Sequence, residues 1–76
     1  MILSDIVPSI CRSKNNLADI SVNKVHIFPQ CVSGGDLFIT IPSKEDEIEI
    51  LKIHKAIAMG AKVTIKRFRL LYTSFN

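Results

Sequence analysis

The spacing of apolar residues changes period along the chain. In residues 36–41, Leu37, Ile39 and Ile41 fall on one side of an extended backbone and Phe38 and Thr40 on the other, the two-residue alternation of a strand. Both sides are largely apolar, which predicts a central strand covered on both faces. Pro42 has no N–H for a ladder and biases Ile41 toward an extended form, so the strand should end there. Residues 44–59 switch to helical spacing: Ile50, Ile53 and Ile57 form a stripe flanked by Leu51 and Ala58, with Glu49, Lys52 and Lys55 on the water side. Ser43 is the expected N-cap, Asp46 follows three residues later as in a capping box, and the acids at 45–47 face the positive end of the helix dipole. Gly60 predicts the C-terminal stop. A second β-rich run at 61–65 completes a strand-helix-strand unit, and such crossovers pair their strands in parallel.

The flanks carry weaker patterns. Residues 2–12 predict a short helix with Ser4 as N-cap, Asp5 in its first turn and Ile2, Ile6 and Ile10 on one face, interrupted by Pro8. Residues 13–19 are polar and turn-rich, a loop. In residues 20–28 the β-branched Ile20, Val22, Val25 and Ile27 argue for extended structure, but the alternation slips between Val22 and Val25, so a bulge or two short strands is expected. Residues 29–35 read as a loop, with Gly34 and Gly35 supplying conformations other residues avoid. The tail at 66–76 fits either a frayed edge strand or a disordered end. The expected fold class is therefore a small α/β domain with a parallel βαβ crossover. It occupies 1–76 as a single domain: an N-terminal helix and loop at 1–19, an α/β core at 20–65 and the tail.

Composition narrows the function more than the fold. A chain of 76 residues with 47% apolar and 22% charged residues is a globular mixture. At that size folding removes only about 60% of the unfolded chain's surface from water, so stability should be modest. The formal charge of +3 is divided: Lys62, Lys66, Arg67 and Arg69 crowd the C-terminal end, while Glu45, Asp46, Glu47 and Glu49 crowd the helix start. The basic cluster has no aromatic-rich stacking strand beside it and reads as solvated surface, not as a nucleic-acid interface. Cys11 and Cys31 are too far apart for a metal pair or a disulfide-dense scaffold, and are expected as reduced, buried thiols. The N-terminal stretch lacks a leading positive charge and is broken by Asp5 and Pro8, unlike a signal peptide, and it is too short to span a bilayer. A cytoplasmic, soluble protein that does not enter membranes is the expectation.

No catalytic or metal-binding constellation emerges. His54 lies beside the isoleucine stripe and is expected partly buried, while His26 has no carboxylate or cysteine near it in sequence; neither is assigned to a metal. The acids at 45–49 do not have calcium-loop spacing. Ser4, Ser9 and Ser43 lack an elbow motif, Cys31 lacks a cationic neighbour, and no GxxxxGK[ST] phosphate loop is present.

Val32, the run Gly35-Asp36-Leu37-Phe38-Ile39, then Ala56 and Gly60-Ala61 with the β-run after it resemble the N-terminal domain of the Mur ligases. That family adds amino acids to the UDP-N-acetylmuramoyl peptide precursor of bacterial peptidoglycan. The resemblance is closest to the ligase that adds meso-diaminopimelate or lysine to UDP-N-acetylmuramoyl-L-alanyl-D-glutamate; it covers residues 20–65 and fades afterwards, which implies a truncated or divergent member. It implies a small α/β domain that holds the uridine end of the substrate, in front of separate domains where ATP and magnesium act, with no cofactor in this chain. By position it assigns the uracil and ribose contacts to Ile27 and Pro29, and the diphosphate-side loop to Lys44, Glu45 and Asp46. The implied partners are the UDP-N-acetylmuramoyl dipeptide and the remaining ligase domains; self-association is the expectation of a different class of function.

Two stretches differ from the family. Phe28-Pro29-Gln30 stands where the family has an Asp-Ser-Arg triplet, and residues 43–47 replace a loop with an Asp-Gly pair. Pro29 offers neither hydroxyl nor N–H, and clustered carboxylates repel a diphosphate unless cations offset them. A second class of function stays open beside the first: a non-catalytic protein-interaction module that keeps the fold and pairs through a sheet edge or the basic tail.

Overall fold

The computed structural model describes residues 1–6, 20–67 and 69–73. In chain order its elements are helix α1 (Leu3–Ile6), strand β1 (Val25–His26), a 3-10 turn (Pro29–Cys31), strand β2 (Leu37–Ile39), helix α2 (Asp46–Ala58), strand β3 (Val63–Lys66) and strand β4 (Arg69–Thr73). The strands form one sheet in the order β1-β2-β3-β4. β1 runs parallel to β2, with Val25 opposite Leu37, and β2 runs parallel to β3, with Leu37, Phe38 and Ile39 opposite Val63, Thr64 and Ile65. The predicted crossover is thus present, and the chain is a mixed α/β fold. β4 returns antiparallel along β3, the edge-strand alternative for the tail over Arg69–Thr73; the register shifts between Thr64 and Ile65.

Alternation along β2 and β3 divides the core into two layers. Leu37, Val63 and Ile65 pack on one face with Leu3, Ile20 and Val22, joined by the half-buried Ile6 and Ile39. On the other face Phe38 packs with Val32, Ile53, Ala56 and Ala61, so α2 and the segment after the 3-10 turn cover it together. The expectation that the Phe38 strand is covered on both sides is met. The phase slip in residues 20–28 also resolves into two short pieces. Ser21 forms an isolated antiparallel bridge with Ile2, and pairing resumes only at Val25 in β1.

Helix α2 ends as Gly60 led us to expect. Gly60 has φ 107°, its N–H donates to the Ile57 carbonyl at 3.0 Å and the Ala61 N–H donates to the Ala56 carbonyl at 3.0 Å, a Schellman closure. A Cβ at Gly60 would also lie 2.9 Å from the Gly34 Cα, because the two loops at this end of the sheet cross there.

Several expectations need correction. The helix spans Asp46–Ala58 rather than 44–59, and its cap is Glu45, which makes no side-chain capping bond; the Ser43 hydroxyl instead accepts the Glu45 N–H at 3.3 Å. The helix is also rotated from the predicted phase. Glu49, Ile53 and Ala56 face inward, Ile57 is half-buried, and Ile50, Leu51 and Ala58 are exposed. Small Ala56 lets the helix approach Phe38, and Glu49 can be buried because a cation meets it there. His54 is exposed, as is Cys31, whose thiol is free. Within α1, Leu3 is the buried residue, while Ile2 just before the helix is exposed. The rest of the predicted first helix, the loop at 13–19, Cys11 and the chain end at 74–76 lie outside the described residues.

Candidate functional site

Parallel pairing fixes where the loops go. The segments leaving β1, β2 and β3 all emerge at the carboxyl end of the parallel strands, where open α/β sheets characteristically take their ligands. After β1 come Ile27 and Phe28, both exposed, with the Phe28 side 50% accessible. Pro29 then turns inward as the buried first residue of the 3-10 turn, and its carbonyl accepts the Val32 N–H. The exposed apolar surface here is therefore Ile27 with Phe28, while Pro29 is buried.

After β2 the backbone stays tied to β3, since the Thr40 N–H donates to the Ile65 carbonyl at 3.0 Å. Lys44 and Glu45 follow, both exposed, and Asp46 opens α2. This loop is clamped from the end of β3. Lys66 pairs with Asp46. Arg67 donates to the Ser43 carbonyl at 2.9 Å and to the Glu49 carboxylate at 2.8 Å from its terminal nitrogen, with two longer bonds of 3.3 Å from Nε. Arg67 takes φ 50°, an uncommon left-handed conformation for a side-chain-bearing residue, at the turn out of β3.

The clamp changes the charge of the site. Of the acids at 45–49, Asp46 and Glu49 are neutralised by Lys66 and Arg67, which leaves Glu45 and Glu47 beside Lys44. The basic cluster, expected as solvated surface, thus supplies two structural cations, and Lys62 likewise donates to the Ser21 carbonyl at 2.9 Å. Sequence reasoning noted these basic residues but had no signal for their partners, which are 18 and 20 positions away.

Hydrogen bonding from Arg67 holds the Glu49 carboxyl below its ordinary pKa of 4.5, against the opposing effect of desolvation, and Glu49 raises the Arg67 guanidinium in turn. Because Glu49 titrates lower in the folded chain than in the unfolded one, its contribution is fully present above about pH 4.5 and is lost as the pH falls through the folded value. Thermal melts from pH 7 down to 3 should show a midpoint that drops below that point. Glu49→Gln should melt lower at pH 7 and respond less to acid; equal acid slopes for the two proteins would disprove this role.

A second polar cluster, missed in the sequence, sits at the opposite end. The buried Asp36 carboxylate accepts the Ser33 N–H at 2.8 Å and the Lys24 N–H at 3.2 Å, and lies 3.2 Å from His26 Nε2. Ten positions separate His26 from Asp36, and only the β1–β2 pairing brings them together. Gly35, with φ 84°, passes so close that a Cβ would meet the Asn23 side chain at 2.7 Å. Each residue of Gly35-Asp36-Leu37-Phe38 therefore has a role in the fold itself: a close turn, a loop clamp and one anchor in each core layer.

Among the described residues no group of three or more His, Cys, Asp or Glu is placed to hold a metal ion, and no helix is long and apolar enough to cross a membrane. The carboxyl end combines an exposed apolar ledge, a lysine, Lys44, that enters no ion pair among the described residues, and a loop held by Lys66 and Arg67, an arrangement suited to holding a ligand. Compared with protein-family models, curated proteins and solved structures, the chain finds no significant match.

Proposed function

We propose that this chain is a docking domain for a UDP-N-acetylmuramoyl peptide, serving an ATP-dependent peptidoglycan-precursor ligase of the Mur type in the cytoplasm, with ATP and magnesium handled by domains outside this chain. The observation that carries the reading is convergence: parallel pairing brings the Ile27–Phe28 ledge, the loop bearing Lys44 and the β3 end with Lys66 and Arg67 to one edge of the sheet. Ile27 and Phe28 offer an apolar surface for the flat face of a uracil. Lys44 is an exposed cation for a phosphate oxygen, and the pairing of Asp46 and Glu49 with Lys66 and Arg67 relieves the repulsion that the acidic helix start would otherwise exert. Family contacts that rely on a hydroxyl at Pro29 are replaced in this proposal by packing on the neighbouring Phe28 ring.

Isothermal titration with UDP-N-acetylmuramoyl-L-alanyl-D-glutamate tests it. Saturable heat is expected in the high-micromolar to millimolar range, on the order of 4–6 kcal/mol of binding free energy. Lys44→Glu should weaken binding about tenfold, the effect of reversing one phosphate-facing charge at a solvent-exposed site. No heat at millimolar ligand would remove substrate docking as a function of this chain.

A further inference from the structure

The outward side of α2 carries apolar residues that the domain's own core does not use. Leu51 is 67% exposed, and Ile48, Met59 and Ala58 are exposed as well. Residues four apart form a ridge along a helix, and here the ridge reads Glu47, Leu51, Lys55, Met59. Glu47 and Lys55 flank Leu51 at equal distance, one turn before it and one turn after it. Both are exposed, and neither enters an ion pair among the described residues, whereas Asp46 and Glu49 of the same helix are both paired. Glu47 and Lys55 lie ~12 Å apart along the axis, too far to pair within one helix.

That pattern is self-complementary under one symmetry. If two copies meet with their α2 helices antiparallel about a twofold axis through Leu51, Leu51 packs on Leu51, and each Glu47 faces the Lys55 of the other copy. A parallel arrangement would instead place Glu47 on Glu47 and Lys55 on Lys55. We propose that the outer face of α2 is a symmetric homodimer interface whose occupant is a second copy of this chain, centred on Leu51 and oriented by two Glu47–Lys55 pairs. The contact is one helix of 13 residues, ~20 Å long, at the small end of specific interfaces, so the dimer should form in the micromolar range. The interface approaches the carboxyl end of the sheet only through Glu47 in the first turn of α2, and its centre at Leu51 lies a turn further along the helix.

Sedimentation equilibrium of the full chain across 5–500 µM, a range that brackets the expected constant, should show a reversible monomer–dimer equilibrium. Leu51→Glu should leave only monomer. Glu47→Lys should weaken the dimer about tenfold or more by setting lysine against lysine, and the double exchange Glu47→Lys with Lys55→Glu should return the constant to within about threefold of the parent. All of these positions are exposed, and unchanged circular dichroism would confirm that the variants remain folded. A monomer at every concentration, a dimer indifferent to Leu51→Glu, or a double exchange as weak as the single one would each overturn the proposal.

Discussion

Phe38→Ala should abolish cooperative folding of the domain or bring it close to that point. Phe38 is fully buried on the central strand, between β1 and β3, and its ring packs with Val32, Ile53, Ala56 and Ala61. Removing a buried aromatic ring costs about 3–5 kcal/mol, transfer and cavity together. A domain of this size has only about 5 kcal/mol to lose. Neighbours cannot collapse into the gap easily, because Ala56 and Ala61 have no side-chain reach and Val32 is fixed by the hydrogen bond of its N–H to Pro29. Urea titration followed by circular dichroism should show the transition moved to very low denaturant or missing. Phe38→Leu, which keeps most of the volume, should retain a transition at a cost of about 1–1.5 kcal/mol. A Phe38→Ala protein with a midpoint near the parent's would mean that the layer beneath α2 is not a core.

Asp36→Ala should be the next most damaging change. Its carboxylate accepts two backbone N–H groups, from Ser33 and Lys24, and meets His26. Its backbone carbonyl also receives the Lys62 N–H at 2.8 Å, so this residue ties β1, the glycine turn and the entry to β3 to one point. Alanine leaves the two amides without an acceptor, at about 1–3 kcal/mol for each group that stays out of water, and a total loss of about 2–4 kcal/mol is expected. Hydrogen exchange should localise the effect. The Ser33 and Lys24 amides should lose protection first, ahead of those in α2. Asp36→Asn, which keeps one acceptor oxygen, should fall between the parent and alanine. Protection at Ser33 and Lys24 unchanged in Asp36→Ala would contradict the clamp.

What could be read in the sequence was local, or followed from chain order. The alternation around Phe38, the glycine at position 60 and the β-run after it each have a short-range cause, and together they imply the crossover that strands β2 and β3 display, although β2 stops at Ile39, short of the end expected at Pro42. That the loops after Ile27 and before Asp46 share one end of the sheet follows from the parallel pairing of β1 with β2, which no local pattern in residues 20–28 announced. The rotation of α2 was not legible either. Ranking residues by hydrophobicity turns Ile50 inward and Glu49 outward, whereas burial of Glu49 depends on an arginine on another element. The His26–Asp36 contact, the offsetting of the helix-start acids and the choice of a strand for the tail likewise depend on partners that only tertiary structure supplies. Burial of Pro29 comes with the 3-10 turn it opens, a detail too short for periodicity to register.

The proposed docking end is tested most directly by titrating the isotopically labelled chain with UDP-N-acetylmuramoyl-L-alanyl-D-glutamate and following backbone amide shifts residue by residue. The account predicts saturable changes at Ile27, Phe28 and residues 43–46, with Ser33, Gly35 and Gly60 at the far end of the sheet unmoved. Shifts confined to that far end, or none at millimolar ligand, would contradict it.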